Sequence, residues 1–379
     1  MQTVEMASHL LRRGYDLTLA CCAGSRLAKE ASAEGVPLLP LHVTGYFHPI
    51  LLWRLSRFIR HAGIRIIHAQ HSRDLSIIVP SADLARTSPL IVLSKRMGSY
   101  VGKHDFLHRY TYARVRRVLA ISEVIRRNVA ETTPVPPSRI ETLHDAIDTR
   151  EFSPKHGARA RLRKEFSYGR RDLVVGFVGR FSPGKGHEEL LQAAALLGRS
   201  HPRVRFLIVG EASTGEEAYA EEIRSASASA GLDGIVTFAG FRRDIPAIMS
   251  AFDILAFPSH AESFGVVLIE AMAMELPVVS TNCDGVLDIV VDGKTGLFVP
   301  PRNAPKLAAA LARLADAPDL RRRVGLAGRN RVLTLFDRDR QIDRLEEIYR
   351  ELTGQGASAA RPGTGSVSNR AGLTSRTTG

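Results

Sequence analysis

The sequence is short of several residue types, and each shortage excludes something. Only three of 379 residues are cysteine (Cys21, Cys22 and Cys283). They share no disulfide or metal-ligand spacing, which argues against a disulfide scaffold and for a reducing, cytoplasmic setting. There is one tryptophan, and aromatic residues make up 6% of the chain. No aromatic-basic platform or recognition module is visible, so nucleic acid is not an expected partner. No run of about 18 apolar residues occurs, so no membrane-spanning helix is expected. The longest candidate, Leu38 to Trp53, is interrupted by His42, Thr44, Gly45 and His48. The first residues lack a basic segment followed by an apolar core, so no secretory signal is expected.

Hydrophobic residues at 44% and charged residues at 24% make an ordinary globular chain. Its length suits two domains of roughly 100–200 residues each. Lysine plus arginine exceed aspartate plus glutamate by 52 to 39, a net charge of +13, so an acidic ligand or surface is an expected partner.

Short apolar runs alternate with stretches of helical periodicity. The runs are Leu17–Cys22, Ile64–His68, Leu90–Leu93, Val118–Ile121, Leu173–Val178, Arg205–Val209, Ile235–Phe238, Ile254–Phe257 and Pro277–Ser280. Strands separated by helix-length segments predict repeated βαβ units and parallel sheets, because a parallel return needs a long crossover. Ser153-Pro154-Lys155-His156-Gly157 reads as a linker, which divides the chain into domains of residues 1–155 and 156–336. From Gly354 the composition turns to Gly, Ser, Ala and Thr, predicting a disordered tail over 354–379. At the start, Val4, Ala7, Leu10 and Leu11 form a helical stripe ended by Gly14. No strand precedes it, so a first domain lacking its initial strand is expected.

Two stretches carry chemistry. In the first, the strand Leu173–Val178 runs into Gly179-Arg180-Phe181-Ser182-Pro183-Gly184-Lys185-Gly186-His187. Glycines let backbone amides approach an anion, and a following helix adds partial positive charge. Arg180 and Lys185 supply full charges suited to a diphosphate. Gly179 to Lys185 imitates a phosphate-binding ATPase loop, but Gly186 stands where the magnesium-binding hydroxyl belongs. Gly176-x-x-Gly179 likewise misses the dinucleotide fingerprint. An ordinary strand-to-helix turn bearing surface cations is the bland alternative.

In the second stretch, Glu262 follows the strand Ile254–Phe257, and Ser263-Phe264-Gly265-Val266 leads into a helix bearing Glu270. Isolated glutamates are usually solvated surface charge. Glu270, however, is embedded in Val267-Leu268-Ile269 and Ala271-Met272-Ala273, a poor place for an idle carboxylate.

Glu262 and Glu270 have the E-x7-E spacing of retaining glycosyltransferases, and the surrounding residues resemble glycosyltransferase family 4. Gly179-Arg180, Lys185-Gly186, Val209-Gly210-Glu211, Phe238-Ala239-Gly240-Phe241 and Asp292-Gly293-Lys294-Thr295-Gly296-Leu297 match that family in order and spacing, across a likeness spanning roughly residues 1–350. The resemblance implies an α/β protein with two Rossmann-like domains facing across a cleft, the GT-B arrangement, and a C-terminal helix over 337–353 returning to the first domain. It implies catalytic roles for Arg180 and Lys185 on the donor diphosphate and for Glu262 on the sugar hydroxyls. Glu270 would take the ribose hydroxyls, with Gly179, Gly184, Gly240, Phe241, Ser263, Phe264, Gly265 and Val266 completing the donor site. No cofactor or metal is implied. Asp337-Arg338-Asp339 imitates a metal-binding motif but reads as surface charge.

On the acceptor side the family's histidine is replaced by cations in Leu93-Ser94-Lys95-Arg96-Met97-Gly98. Lys95 and Arg96 are candidates for contact with phosphate or an anionic acceptor. His71 is the nearer catalytic candidate and His68 a second histidine facing the same cleft; a loop or core role is the alternative for both. From Lys95 to Arg127 nine basic residues stand against Asp105 and Glu123. Leu51–Arg60 is a basic amphipathic helix with Trp53 opposite its apolar face, between Arg57 and Arg60. The expected reaction moves a sugar from a nucleotide-sugar donor to a glycan or lipid-linked acceptor at the inner face of the membrane, in cell-surface polysaccharide or lipopolysaccharide synthesis. A nucleotide-sugar epimerase of similar fold, or a non-catalytic nucleotide-sugar binder, is the alternative.

Overall fold

The structure is a computed structural model that describes residues 2–41, 49–154 and 157–354. The expected boundary after residue 155, and the expected tail beyond Gly354, lie outside the described residues. Twelve strands are present among the described residues: β1 (Leu19–Cys22), β2 (Leu38–Leu41), β3 (Ile66–Ala69), β4 (Leu90–Lys95), β5 (Val115–Ala120), β6 (Ile140–Thr142), β7 (Leu173–Val178), β8 (Val204–Val209), β9 (Val236–Gly240), β10 (Ile254–Phe257), β11 (Val278–Thr281) and β12 (Leu297–Val299). Every ladder between them is parallel. The reason is visible in the runs themselves: all of β10 and β11, and most of β7 and β8, are buried on both faces. Only helices on either side of a sheet bury strands that way.

β7 to β12 form one sheet in the order β12-β11-β10-β7-β8-β9. The order reverses between β7 and β10, so the loops leaving these neighbours diverge and open a crevice at their carboxyl ends. The helix His187–Ser200 follows β7 and buries Leu190, Leu191, Ala194 and Leu197, the stripe its periodicity predicts. In the first half, β3-β4-β5-β6 form a four-stranded sheet, and β1 and β2 pair with each other apart from it.

Three strands escape the sequence pattern for identifiable reasons. β6 and β12 have three residues each, too few for periodicity to register. β2 contains Pro40, which reads against a strand and is tolerated at sheet margins. Helix Gln2–Arg12 ends near Gly14 at φ 86°, the expected cap.

The C-terminal helix Arg338–Thr353 packs on the first half, where Ile342, Leu345 and Ile348 join Leu10, Val92 and Leu119 in one apolar cluster. Its start corrects a sequence expectation. Asp337-Arg338-Asp339 is not simply surface charge: Asp337 caps the helix by accepting from the Asp339 and Arg340 amides. Arg338 is buried, donating to the Ala146 carbonyl and pairing with Glu5. A second correction concerns helix Pro49–His61. Trp53 is exposed with the Arg57 guanidinium 5.6 Å from its ring centroid. Arg60, however, turns away to the Leu84 and Ala85 carbonyls at a neighbouring helix end, so it does not flank the indole.

Candidate functional site

The crevice between β7 and β10 is built from two interlocking loops. The first, after β7, is pinned by backbone bonds from Gly179 to Val209, the last residue of neighbouring β8, and from Phe181 to Glu211 just beyond it. Phe181 is buried beneath it. Gly186 must be glycine: its φ is 79°, and a Cβ there would lie 2.2 Å from the Pro258 carbonyl oxygen of the second loop. His260 joins the loops again, its amide donating to the Gly184 carbonyl at 2.8 Å and its Nε2 lying 2.9 Å from Glu189.

Across this junction Lys185 Nζ meets Glu262 Oε2 at 2.7 Å, with both side chains mostly buried. The pair places a cation and an acceptor-rich carboxylate at one point of the strand-end crevice. Arg180 is exposed and reaches Ser213 Oγ, in the segment after β8, at 3.3 Å, so it does not touch the pair. The second loop is held from below: the Gly285 amide donates to the Glu262 carbonyl at 2.9 Å, and Ser122 of the first half donates to the Ser263 carbonyl at 2.6 Å. Gly240 lies at the end of β9, where its carbonyl accepts the Gly210 amide, and Phe241 beyond it is half exposed.

Gly265, at φ 104°, precedes helix Val266–Ala273, whose first amides have no carbonyl within the helix to bond. Phe264 is not available as a side chain, since it is buried against Phe336 and stacks on His144 at 5.5 Å; its backbone is what the loop can offer. Glu270, five residues into the helix, sits among buried Leu268, Ile269, Ala271 and Met272. It has no ion pair or side-chain hydrogen bond among the described residues. Burial, together with the like charges of Glu151 and Glu5, pushes its carboxyl up to about 7. At neutral pH it can therefore donate as well as accept, which suits paired hydroxyls.

The first half gives the candidates there different fates. His68 lies inside β3 between Tyr349, 2.6 Å from Nδ1, and Ser94, 2.9 Å from Nε2, and burial pushes it down to about 4. It is a core histidine holding the C-terminal helix, the bland alternative named above. His71 is exposed, and its carbonyl takes the Asp74 amide in a single turn; no contact brings its ring to Lys185 or Glu262 among the described residues. Arg96 is committed to the buried Asp145, both carboxylate oxygens lying 2.6 Å from Nη1. Lys95 is buried at the end of β4. Sequence reasoning missed contacts that join the halves, among them Ser122 to Ser263 and His144 to Phe264. Their only local signal is Ser122 at a helix start, a position explained equally well by capping.

Comparison with known proteins agrees with this architecture. Residues 158–331 match the family model described as Glycosyl transferases group 1, and residues 1–151 match Glycosyltransferase Family 4. Alpha-D-kanosaminyltransferase of Streptomyces kanamyceticus is 27% identical over 87% of this chain and 90% of its own. A D-inositol 3-phosphate glycosyltransferase of Segniliparus rotundus is 35% identical over 56% of this chain, and that match spans only 47% of the relative. Among solved structures, Anabaena HepE in complex with UDP superposes with a TM-score of 0.82 at 21% identity, covering 92% of this chain and 95% of that one.

Proposed function

Because this chain belongs to glycosyltransferase family 4, we propose that it transfers a sugar from a nucleoside diphosphate sugar, held at the β7–β10 crevice, to a glycan or lipid-linked acceptor presented by the first half. The observation that carries this reading is the Lys185–Glu262 pair at the reversal of strand order. A diphosphate arriving beside Lys185 competes for its ammonium and releases Glu262 to accept from sugar hydroxyls. Lys185 thus has its counter-charge within the site itself.

In the transfer, the acceptor oxygen bonds to the sugar's anomeric carbon as the bond from that carbon to the diphosphate oxygen breaks. The diphosphate leaves with the electron pair, and the acceptor's proton passes to a phosphate oxygen. Negative charge grows on the leaving group, and fixed cations there stabilise the transition state more than the ground state. Arg180 and Lys185 have this role, and Glu270 takes the ribose hydroxyls. The E-x7-E spacing supports a retaining outcome, with departure and attack on one face of the sugar. HepE, solved in complex with UDP, supports a nucleoside diphosphate as the leaving group. Exposed Trp53 with Arg57, and the net charge of +13, support work at an anionic membrane surface.

The test is a panel of nucleoside diphosphates and their sugars in thermal unfolding, since a ligand binding only the folded state raises apparent stability. At least one diphosphate is expected to raise Tm, and that sugar nucleotide is the donor to assay. A panel with no response contradicts the reading.

A further inference from the structure

Lys95 ends β4, and its surroundings are unusual for lysine. The residue is 9% exposed, and an ammonium so withdrawn from water normally has a carboxylate beside it. Instead its Nζ donates to Ser72 Oγ at 3.4 Å, and a second ammonium, Lys103 Nζ, donates to the same hydroxyl at 3.2 Å. No carboxylate pairs with either lysine among the described residues. Desolvation, with the neighbouring Lys103 charge, pushes the Lys95 ammonium down to about 8. Two cations converging on one neutral oxygen repel each other, and an anion between them removes the repulsion.

The position fits a ligand. Ser72 follows β3, Lys95 ends β4, and Lys103 lies in the segment after β4, so the cluster stands at the carboxyl ends of adjacent parallel strands. The Lys95 backbone is also linked to the donor loop. The Lys95 carbonyl accepts the Ile121 amide at 3.1 Å, and the next residue, Ser122, donates to Ser263. Arg96, the nearest other cation in sequence, is neutralised by Asp145.

We infer that Lys95, Lys103 and Ser72 form an anion subsite on the acceptor half, which receives a phosphate group carried by the acceptor. The inference rests on the donor reading above, because the donor's own diphosphate is assigned to Arg180 and Lys185. Each ammonium donates to phosphate oxygens, and the Ser72 hydroxyl rotates to donate a third bond. The phosphate is a monoester or diphosphate, either on a soluble acceptor or on a lipid. Exposed Tyr100, Val101 and Phe106 flank Lys103 in sequence and suit the lipid source.

The experiment uses the full chain with UDP saturating the donor site and inorganic phosphate as the probe, read by thermal unfolding and calorimetry. Phosphate is expected to bind in the presence of UDP. Lys95→Met and Lys103→Met are each expected to weaken it about tenfold or more, the loss of one charge-assisted contact, with UDP affinity unchanged. Lys95→Met removes a buried charge and is expected to melt no lower than wild type without phosphate. Phosphate binding that is absent in wild type, or equal in both variants, overturns the inference. So does a loss of UDP affinity in Lys95→Met, which would give that lysine to the donor.

Lys185→Ala separates the two readings. Unchanged UDP affinity there sinks the donor assignment and leaves the phosphate result standing on its own. A final arm compares phosphatidylcholine vesicles carrying phosphatidic acid with soluble glycerol 1-phosphate. Binding lost in Lys95→Met identifies which source the subsite takes, and binding of both that Lys95→Met leaves intact overturns it.

Discussion

The two halves of the molecule hold the same kind of charge in opposite states. On the β7–β12 side, Lys185 is held by Glu262 at 2.7 Å. On the β3–β6 side, Lys95 and Lys103 share a neutral hydroxyl. The lesson is about where selectivity is stored. A paired cation exchanges one anion for another. Lys95 and Lys103, with no carboxylate partner among the described residues, repel each other across Ser72, and the anion subsite inferred above is expected to favour charged over neutral acceptors.

The comparison can be broken most severely at the junction of the donor loops. Gly186→Val forces a Cβ to 2.2 Å from the Pro258 carbonyl oxygen at a φ of 79°, so the loops must part. Loss of nearly all nucleoside diphosphate binding is expected in calorimetry, with the first half still folded by hydrogen exchange. Glu262→Gln sharpens it. Freed of its partner, Lys185 is expected to hold UDP at least as tightly as before. Turnover is expected to fall on the order of 100-fold, because the sugar contact is weakened where it matters to the transition state. Equal losses in UDP binding and turnover would instead make Glu262 a mere prop for Lys185.

Two pH effects are smaller. Glu270 holds its proton up to about pH 7 in the folded chain, whereas a free glutamate loses it near pH 4.3. Stability therefore falls as pH rises between those values. Glu270→Gln escapes this loss, and its Tm is expected to exceed wild type by a few degrees at pH 8, with the gap closing toward pH 4. His68 runs the other way. Its folded value near 4 lies below that of free histidine, so stability is lost as pH falls from about 6.5 toward 4. In His68→Gln that acid-side slope of Tm against pH is expected to flatten. The smallest effect is Ser122→Ala, which removes a helix cap and the bond to Ser263. A loss of about 1 kcal/mol is expected in denaturant unfolding.

The same contrast governs what could be read before the structure. The second half was legible because its chemistry is local: Gly179 to Gly186 and Glu262 to Glu270 are contiguous stretches, and each carries its strand, loop and helix in order. Its parallel sheet followed from uninterrupted apolar runs such as Leu173–Val178. The first half assembles its features from separate loops. Nothing near Ser72 announces Lys103, and nothing near His68 announces Tyr349, 281 residues away in sequence. Arg96 looked as available as Lys95, and only packing shows that Asp145 holds it. Arg338 looked solvated because it starts a helical pattern far from the donor loops in sequence, yet its contacts are Glu5 and Ala146 from distant elements. Short strands such as β6 carry too few residues for any period to show.

The central claim is that Lys185 and Glu270 grip opposite ends of one nucleoside diphosphate. Calorimetric titration of UDP into wild type, Lys185→Ala and Glu270→Ala tests it most directly. A roughly 10- to 100-fold rise in Kd is expected for each variant, the scale of a lost hydrogen bond to a charged group. Wild-type affinity in both would contradict the account.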